Sequence, residues 1–176
     1  MKKVQAVIYM ILTFFIIYFL QSNFFTWFNI AGIMPNLYII LILFIGLFIG
    51  KKLGLIFGII LGIYLDVIAR KAIGISSITL GLIGFLAELL SKDFSKDSRL
   101  TIILIVTTAT ILYESATYIF GNIINSLSFE FGFLKILIIE VIFNSIITII
   151  IYPLMKKVGY YFEDSFREKK VLTRFF

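Results

Sequence analysis

Six apolar runs, separated by short stretches that carry most of the charge, constrain this chain more than any other feature. The runs are Val4–Leu20, Leu37–Ile49, Leu53–Ala69, Ile75–Leu90, Thr101–Phe120 and Ile136–Leu154. About 20 apolar residues in a helix cross the hydrocarbon core of a bilayer. The pattern therefore predicts an all-α integral membrane protein, a bundle of six transmembrane helices that forms one domain over residues 1–176.

Composition supports this class and excludes several others. The chain is 61% hydrophobic and only 15% charged, and a soluble domain of this size would leave apolar surface facing water. Cysteine and histidine are absent, which excludes disulfides, thiolate or imidazole metal sites and His-dependent triads. We expect no enzymatic activity, no metal and no cofactor. The net charge of +6 sits at helix ends, so it favours membrane lipids over nucleic acid as the partner.

The second run is short, and the distribution of basic residues distinguishes between two interpretations of it. From Pro35 to Gly50 it makes only about 24 Å of helix, so it would need a thinned or sheltered region. Joining it to the third run instead places Lys51 and Lys52 in hydrocarbon. With six spans and both termini cytoplasmic, 13 basic residues lie inside and 3 outside, whereas the joined helix leaves 5 inside and 9 outside. The positive-inside rule therefore favours six spans.

The chain ends and the first outer loop have their own predicted roles. Met1-Lys2-Lys3 and the run after it resemble a signal peptide, but no small-x-small cleavage site follows, so we expect a retained first helix. The aromatic loop 21–36 is expected along the outer surface. The basic, aromatic tail 155–176 is interpreted as a cytoplasmic interfacial anchor, with a docking surface for a partner as the alternative.

A ridge of glycines is the clearest packing signal. Glycine recurs every four residues at Gly46, Gly50, Gly54, Gly58 and Gly62. Asp66 and Arg70 continue the same spacing and are predicted to neutralise each other as i,i+4 neighbours. Because glycine lets helix backbones approach closely, the ridge predicts a tight helix–helix contact.

The later runs carry further polar stripes, which predict faces turned away from lipid. The stripes are Ser77, Gly81, Gly84 and Glu88; Thr107, Thr110, Glu114 and Thr117; and Glu140, Asn144 and Thr148. In the predicted topology Asp66, Glu114 and Glu140 share the outer third of the bundle. We favour a hydrogen-bonded network that fixes helix register, and a ligand pocket or a seat for a partner helix stays open.

The stretch Pro35–Leu90 resembles the rod shape-determining protein MreD family. The resemblance rests on the order of its features: Pro35 before the second run, the glycine-rich hairpin Gly54 to Asp66, a short turn with Gly74, and a glycine-containing fourth run. It implies a non-enzymatic subunit of the bacterial elongation machinery that binds MreC directly. MreB, RodA and the elongation-type penicillin-binding transpeptidase would be reached through the complex, and a homo-oligomer is compatible with it.

One alternative of a different class remains. Substrate-binding subunits of energy-coupling-factor vitamin transporters are six-helix proteins of this size, and the MreD fold is thought to resemble theirs. They usually dock their partner through a small-xxx-small pattern in the first helix. Here Ala6 is followed four residues later by Met10, so that pattern is missing.

Overall fold

The computed structural model describes residues 2–68, 74–93, 97–125 and 132–166, and these ranges are helical almost throughout. The α-helices are α1 Lys2–Phe19, α2 Phe25–Trp27, α3 Leu37–Phe44, α4 Lys51–Ile68, α5 Ile75–Asp93, α6 Arg99–Asn125 and α7 Gly132–Phe166. Two π-helical turns, Leu20–Phe24 and Ile45–Ile49, extend α1 and α3. No strand occurs in the described ranges, which confirms the predicted all-helical class.

Within the described residues, three helical stretches are long and apolar enough to cross a membrane. They are Val4–Trp27, Arg99–Ile124 and Gly132–Phe166. Leu37–Ile49 and Ile75–Leu90 are shorter apolar helices, and α4 has 18 residues that include two lysines and Asp66. The structure is consistent with a helical membrane bundle, and the count of six spans stays a prediction.

The short second run forms the centre of the molecule. Every residue from Leu37 to Ile49 is buried, and Ile39 and Phe48 are 0% exposed. α3 contacts α1, α4, α5, α6 and α7, so protein rather than lipid surrounds it. A helix that is apolar on all sides is expected in such a position. The backbone then reverses at Gly50, whose φ of 128° is open to glycine and strained for other residues.

The first helix continues beyond its predicted end at Leu20. In the π-helical turn a polar side chain bonds to the backbone one turn earlier: Asn23 Nδ2 donates to the Phe19 carbonyl at 3.1 Å. The predicted outer loop is therefore shorter than 21–36 at its start. Its aromatic residue Trp27 is 85% exposed, which leaves the ring outside the bundle.

The last helix also continues beyond Leu154, as far as Phe166. Gly159 and Phe162 are buried, and the Tyr160 ring lies 5.3 Å from the Phe48 ring, centroid to centroid. The first half of the predicted tail is thus a helix packed on the bundle, an arrangement that neither interpretation of the tail included. Residues 167–176 lie outside the described residues.

Candidate functional site

The glycine ridge of α4 lies directly against α5. A Cβ atom added at Gly54, Gly58 or Gly62 would overlap backbone atoms of α5. The α5 residues met in this way are Gly84, Leu80 and Ser77 respectively. Backbone-to-backbone contact of this kind maximises van der Waals packing where lipid replaces water.

The other predicted packing glycines have different surroundings. A Cβ at Gly46, in the π-helical turn after α3, would overlap the Gly84 carbonyl, so the central helix joins the same contact. Gly81 faces side chains instead, with the Ile59 Cγ1 atom 2.9 Å from its added Cβ. At position 50 the positive φ requires glycine, and crowding does not, since the atom nearest to an added Cβ is Glu88 Oε2 at 3.4 Å.

Two carboxylates cap the helices of this hairpin at opposite ends. Asp66, in the last turn of α4, is 0% exposed and accepts hydrogen bonds from the Gly74 and Ser76 amides at 2.7 and 3.1 Å. Glu88, near the end of α5, accepts one from the Lys51 amide at 2.5 Å. Each acid therefore accepts hydrogen bonds from amides that have no partner within their own helix, at the positive dipole end of the neighbouring helix. The two helices cap each other.

The predicted Asp66 partner was Arg70, which lies outside the described residues. Within the described residues both Asp66 oxygens are bonded to backbone amides of the chain entering α5. The prediction considered only the i,i+4 position on the same helix. The Asp66 oxygens instead accept hydrogen bonds from amides eight and ten residues later in the chain.

The buried start of α3 is capped by two side chains from other helices. Asn144 of α7 is 0% exposed, and its Oδ1 accepts a hydrogen bond from the Asn36 amide at 2.8 Å. Its Nδ2 donates to Thr110 Oγ1 of α6 at 3.0 Å. Gln21 Oε1 accepts from the Leu37 amide at 2.9 Å, while its Nε2 donates to the Pro35 carbonyl at 2.8 Å. These bonds join the start of α3 to α7 and to the π-helical turn after α1, and Asn144 extends the connection to α6.

A pocket of about 400 Å³ opens at the end of the bundle where Asp66 lies. Its polar lining includes Gln21, Asn36, Ser76, Tyr113, Glu114 and Glu140. The Tyr113 hydroxyl donates to Ser76 Oγ at 3.0 Å, and the Ser76 amide bonds to Asp66 behind it. Glu114 and Glu140 therefore line one pocket beside the Asp66 cap, and Pro35 lines it as well. Glu88 lies at the opposite end of the hairpin.

Three residues of this network were not singled out from the sequence as site residues: Gln21, Ser76 and Tyr113. Gln21 had a usable signal, since it is a polar residue at the end of a long apolar run. Ser76 and Tyr113 had none, because an isolated hydroxyl in a transmembrane helix often bonds to its own backbone. Thr148 and Thr110 do this, donating to the Asn144 and Val106 carbonyls.

The fold and the site define a helical membrane protein whose buried polar groups cap and join helices around a central apolar helix. A family model described as rod shape-determining protein MreD matches residues 1–158 of the chain. The chain belongs to the MreD family, and this membership implies a role in determining rod shape. No curated protein and no solved structure matches it.

Proposed function

We propose that this protein is a non-enzymatic scaffold subunit of the bacterial cell-elongation complex, embedded in the cytoplasmic membrane. It binds MreC directly and, through the complex, helps couple the MreB filament to RodA and the elongation-type transpeptidase. The observation that carries the proposal is the family match, which covers nine-tenths of the chain, residues 1–158 of 176.

The roles of the buried acids support a scaffold. Asp66 and Glu88 are both engaged by backbone amides at helix starts, where an ionised carboxylate stabilises structure. A rigid bundle of this kind suits a subunit that holds other proteins in fixed positions. The comparisons give no support to the vitamin-transporter alternative.

A six-span topology with both termini cytoplasmic completes the proposal. The 13-to-3 distribution of basic residues supports it. The enclosure of Leu37–Ile49 supports it too, because a helix that is surrounded by protein need not match the bilayer thickness.

The test is purification of the full chain from its native membrane in a mild detergent, with identification of every copurifying protein. We expect a single-span protein with a large extracytoplasmic domain, the form that MreC takes. Gly121→Leu, whose added side chain meets nothing within 4 Å at its Cβ, is the control variant and should retain the same copurifying proteins. Recovery of a tightly bound vitamin without such a protein would contradict the scaffold.

A further inference from the structure

An apolar groove of about 390 Å³ lies between α1 and α4. Its two walls have the same i, i+3, i+7 spacing, Val7, Met10 and Phe14 on α1 and Phe57, Ile60 and Tyr64 on α4. The floor is α3, through Leu41, Ile42 and Ile45. The groove is open on its outer side, since Val7 is 40% and Ile60 is 59% exposed.

One end of the groove is closed by aromatic rings. Tyr18 and Tyr64 meet edge to face with centroids 6.1 Å apart. Both residues stand near the carboxyl ends of their helices, so α1 and α4 run side by side in the same direction. Their amino ends therefore lie together at the other end of the groove.

That other end is basic. α1 starts with Lys2 and Lys3 and α4 with Lys51 and Lys52, and neither helix has an acidic residue in its first turn. Lys3 precedes the groove residue Val7 by one helical turn, and Lys52 is exposed. Glu88 accepts a hydrogen bond from the Lys51 amide at the start of α4, so only the positive dipole end of α1 adds to this charge. The groove thus combines an apolar channel with basic residues at the starts of the two helices that form its walls.

The length of the groove distinguishes between possible occupants. From Lys51 at the basic end to Tyr64 at the closed end the helical rise is about 20 Å, and the lining residues Phe57 to Tyr64 account for about 10 Å of it. Half of a hydrocarbon core is about 15 Å, whereas a transmembrane helix needs about 30 Å and would meet the Tyr18–Tyr64 pair partway across. A lipid of one leaflet, with its phosphate at the lysines, matches both the length and the charge.

We propose that this groove binds one anionic phospholipid from the leaflet at the lysine end, with an acyl chain along α3 and the headgroup between the amino ends of α1 and α4. In the six-span topology this is the cytoplasmic leaflet. Lipid binding in this groove does not depend on MreC binding, so either proposal can fail alone.

The experiment is native mass spectrometry of the full chain in detergent micelles, with added dipalmitoyl phosphatidylglycerol or dipalmitoyl phosphatidylcholine. We expect one phosphatidylglycerol to be retained and phosphatidylcholine to be lost. Ile60→Trp fills the groove and should abolish retention. Ile63→Trp is the matched control, because Ile63 is on the same helix, 44% exposed and outside the groove.

A second pair of variants tests the charge without altering the groove, and so still decides the matter if Ile60→Trp does not fold. Lys3→Gln with Lys52→Gln should weaken phosphatidylglycerol retention about 30-fold, from the usual contribution of two lysines near an anionic surface. Lys135→Gln with Lys157→Gln removes the same charge elsewhere and should change little.

Three results would overturn the proposal. Equal retention of the two lipids would indicate only a loose lipid shell, and equal effects of the two tryptophan variants would exclude the groove. If Ile60→Trp lost a copurifying protein while lipid retention stayed unchanged, the groove would be assigned to a protein partner.

Discussion

Replacing Asp66 with alanine is the sharpest test of how the α4–α5 hairpin is held together. Asp66 is 0% exposed, and its two oxygens satisfy the amides of Gly74 and Ser76 where α5 begins. The variant removes both acceptors and leaves the surrounding packing in place. Two amides at a helix start then lose the buried carboxylate that satisfies them.

The expected cost follows from these two bonds. An unsatisfied buried donor costs about 1–3 kcal/mol, and loss of a helix N-cap alone costs about 0.5–2 kcal/mol. Because Asp66 has no exposed surface, we expect Asp66→Ala to lower the free energy of unfolding by about 3 kcal/mol. Asp66→Asn keeps one acceptor oxygen, so about 1 kcal/mol is expected.

The assay is unfolding of the purified protein by SDS titration in mixed micelles, followed by the loss of helical circular dichroism. Asp164→Ala, which removes an exposed carboxylate from α7, is the control and should change stability little. If Asp66→Ala were as stable as the parent, the two amides would have found other acceptors and the cap would carry no energy.

A double-mutant cycle with Arg70→Ala separates the cap from the ion pair that the i,i+4 spacing predicts. If capping accounts for the effect of Asp66, the two single effects should add to within about 0.5 kcal/mol. A coupling energy above about 1 kcal/mol would mean that Arg70 is a principal partner of the carboxylate, contrary to the capping argument.

The remaining predictions address the packing, the central helix and the topology. Gly58→Leu should abolish folded yield because its side chain enters the α5 backbone at Leu80; a folded, stable variant would remove the case for close contact. Gly159→Leu should destabilise the protein, because the added Cβ overlaps the Phe48 ring; an unchanged unfolding midpoint would contradict this. Asn144→Ala should cost about 2–3 kcal/mol in unfolding free energy through two broken buried bonds, and a neutral result would be inconsistent with its capping role. A reporter fused after Lys52 should read cytoplasmic, and an external reading would exclude six spans.

The sequence by itself determined the features that depend on composition and local periodicity. Apolar runs showed the membrane class and most helix positions, because a chain in lipid must satisfy its backbone within each segment. The four-residue glycine spacing placed Gly54, Gly58 and Gly62 on one face, since that spacing nearly matches a helical turn. The ordered features over Pro35–Leu90 indicated the MreD family, which the family match confirms.

Only the tertiary structure decided which groups meet across the bundle. The i,i+4 spacing predicts Arg70, outside the described residues, as a partner of Asp66. No local spacing indicated that the start of α5 supplies two amides to the Asp66 oxygens. The run Leu37–Ile49, the shortest predicted span, is the fully enclosed centre of the bundle. The length of an apolar run is a guide to membrane crossing only where lipid, and not protein, surrounds the helix. The bond from Asn144 to the Asn36 amide joins residues 108 apart, a separation at which no local pattern carries information. Hydrogen bonds of this range depend on how helices are arranged, and that arrangement is a property of the whole bundle.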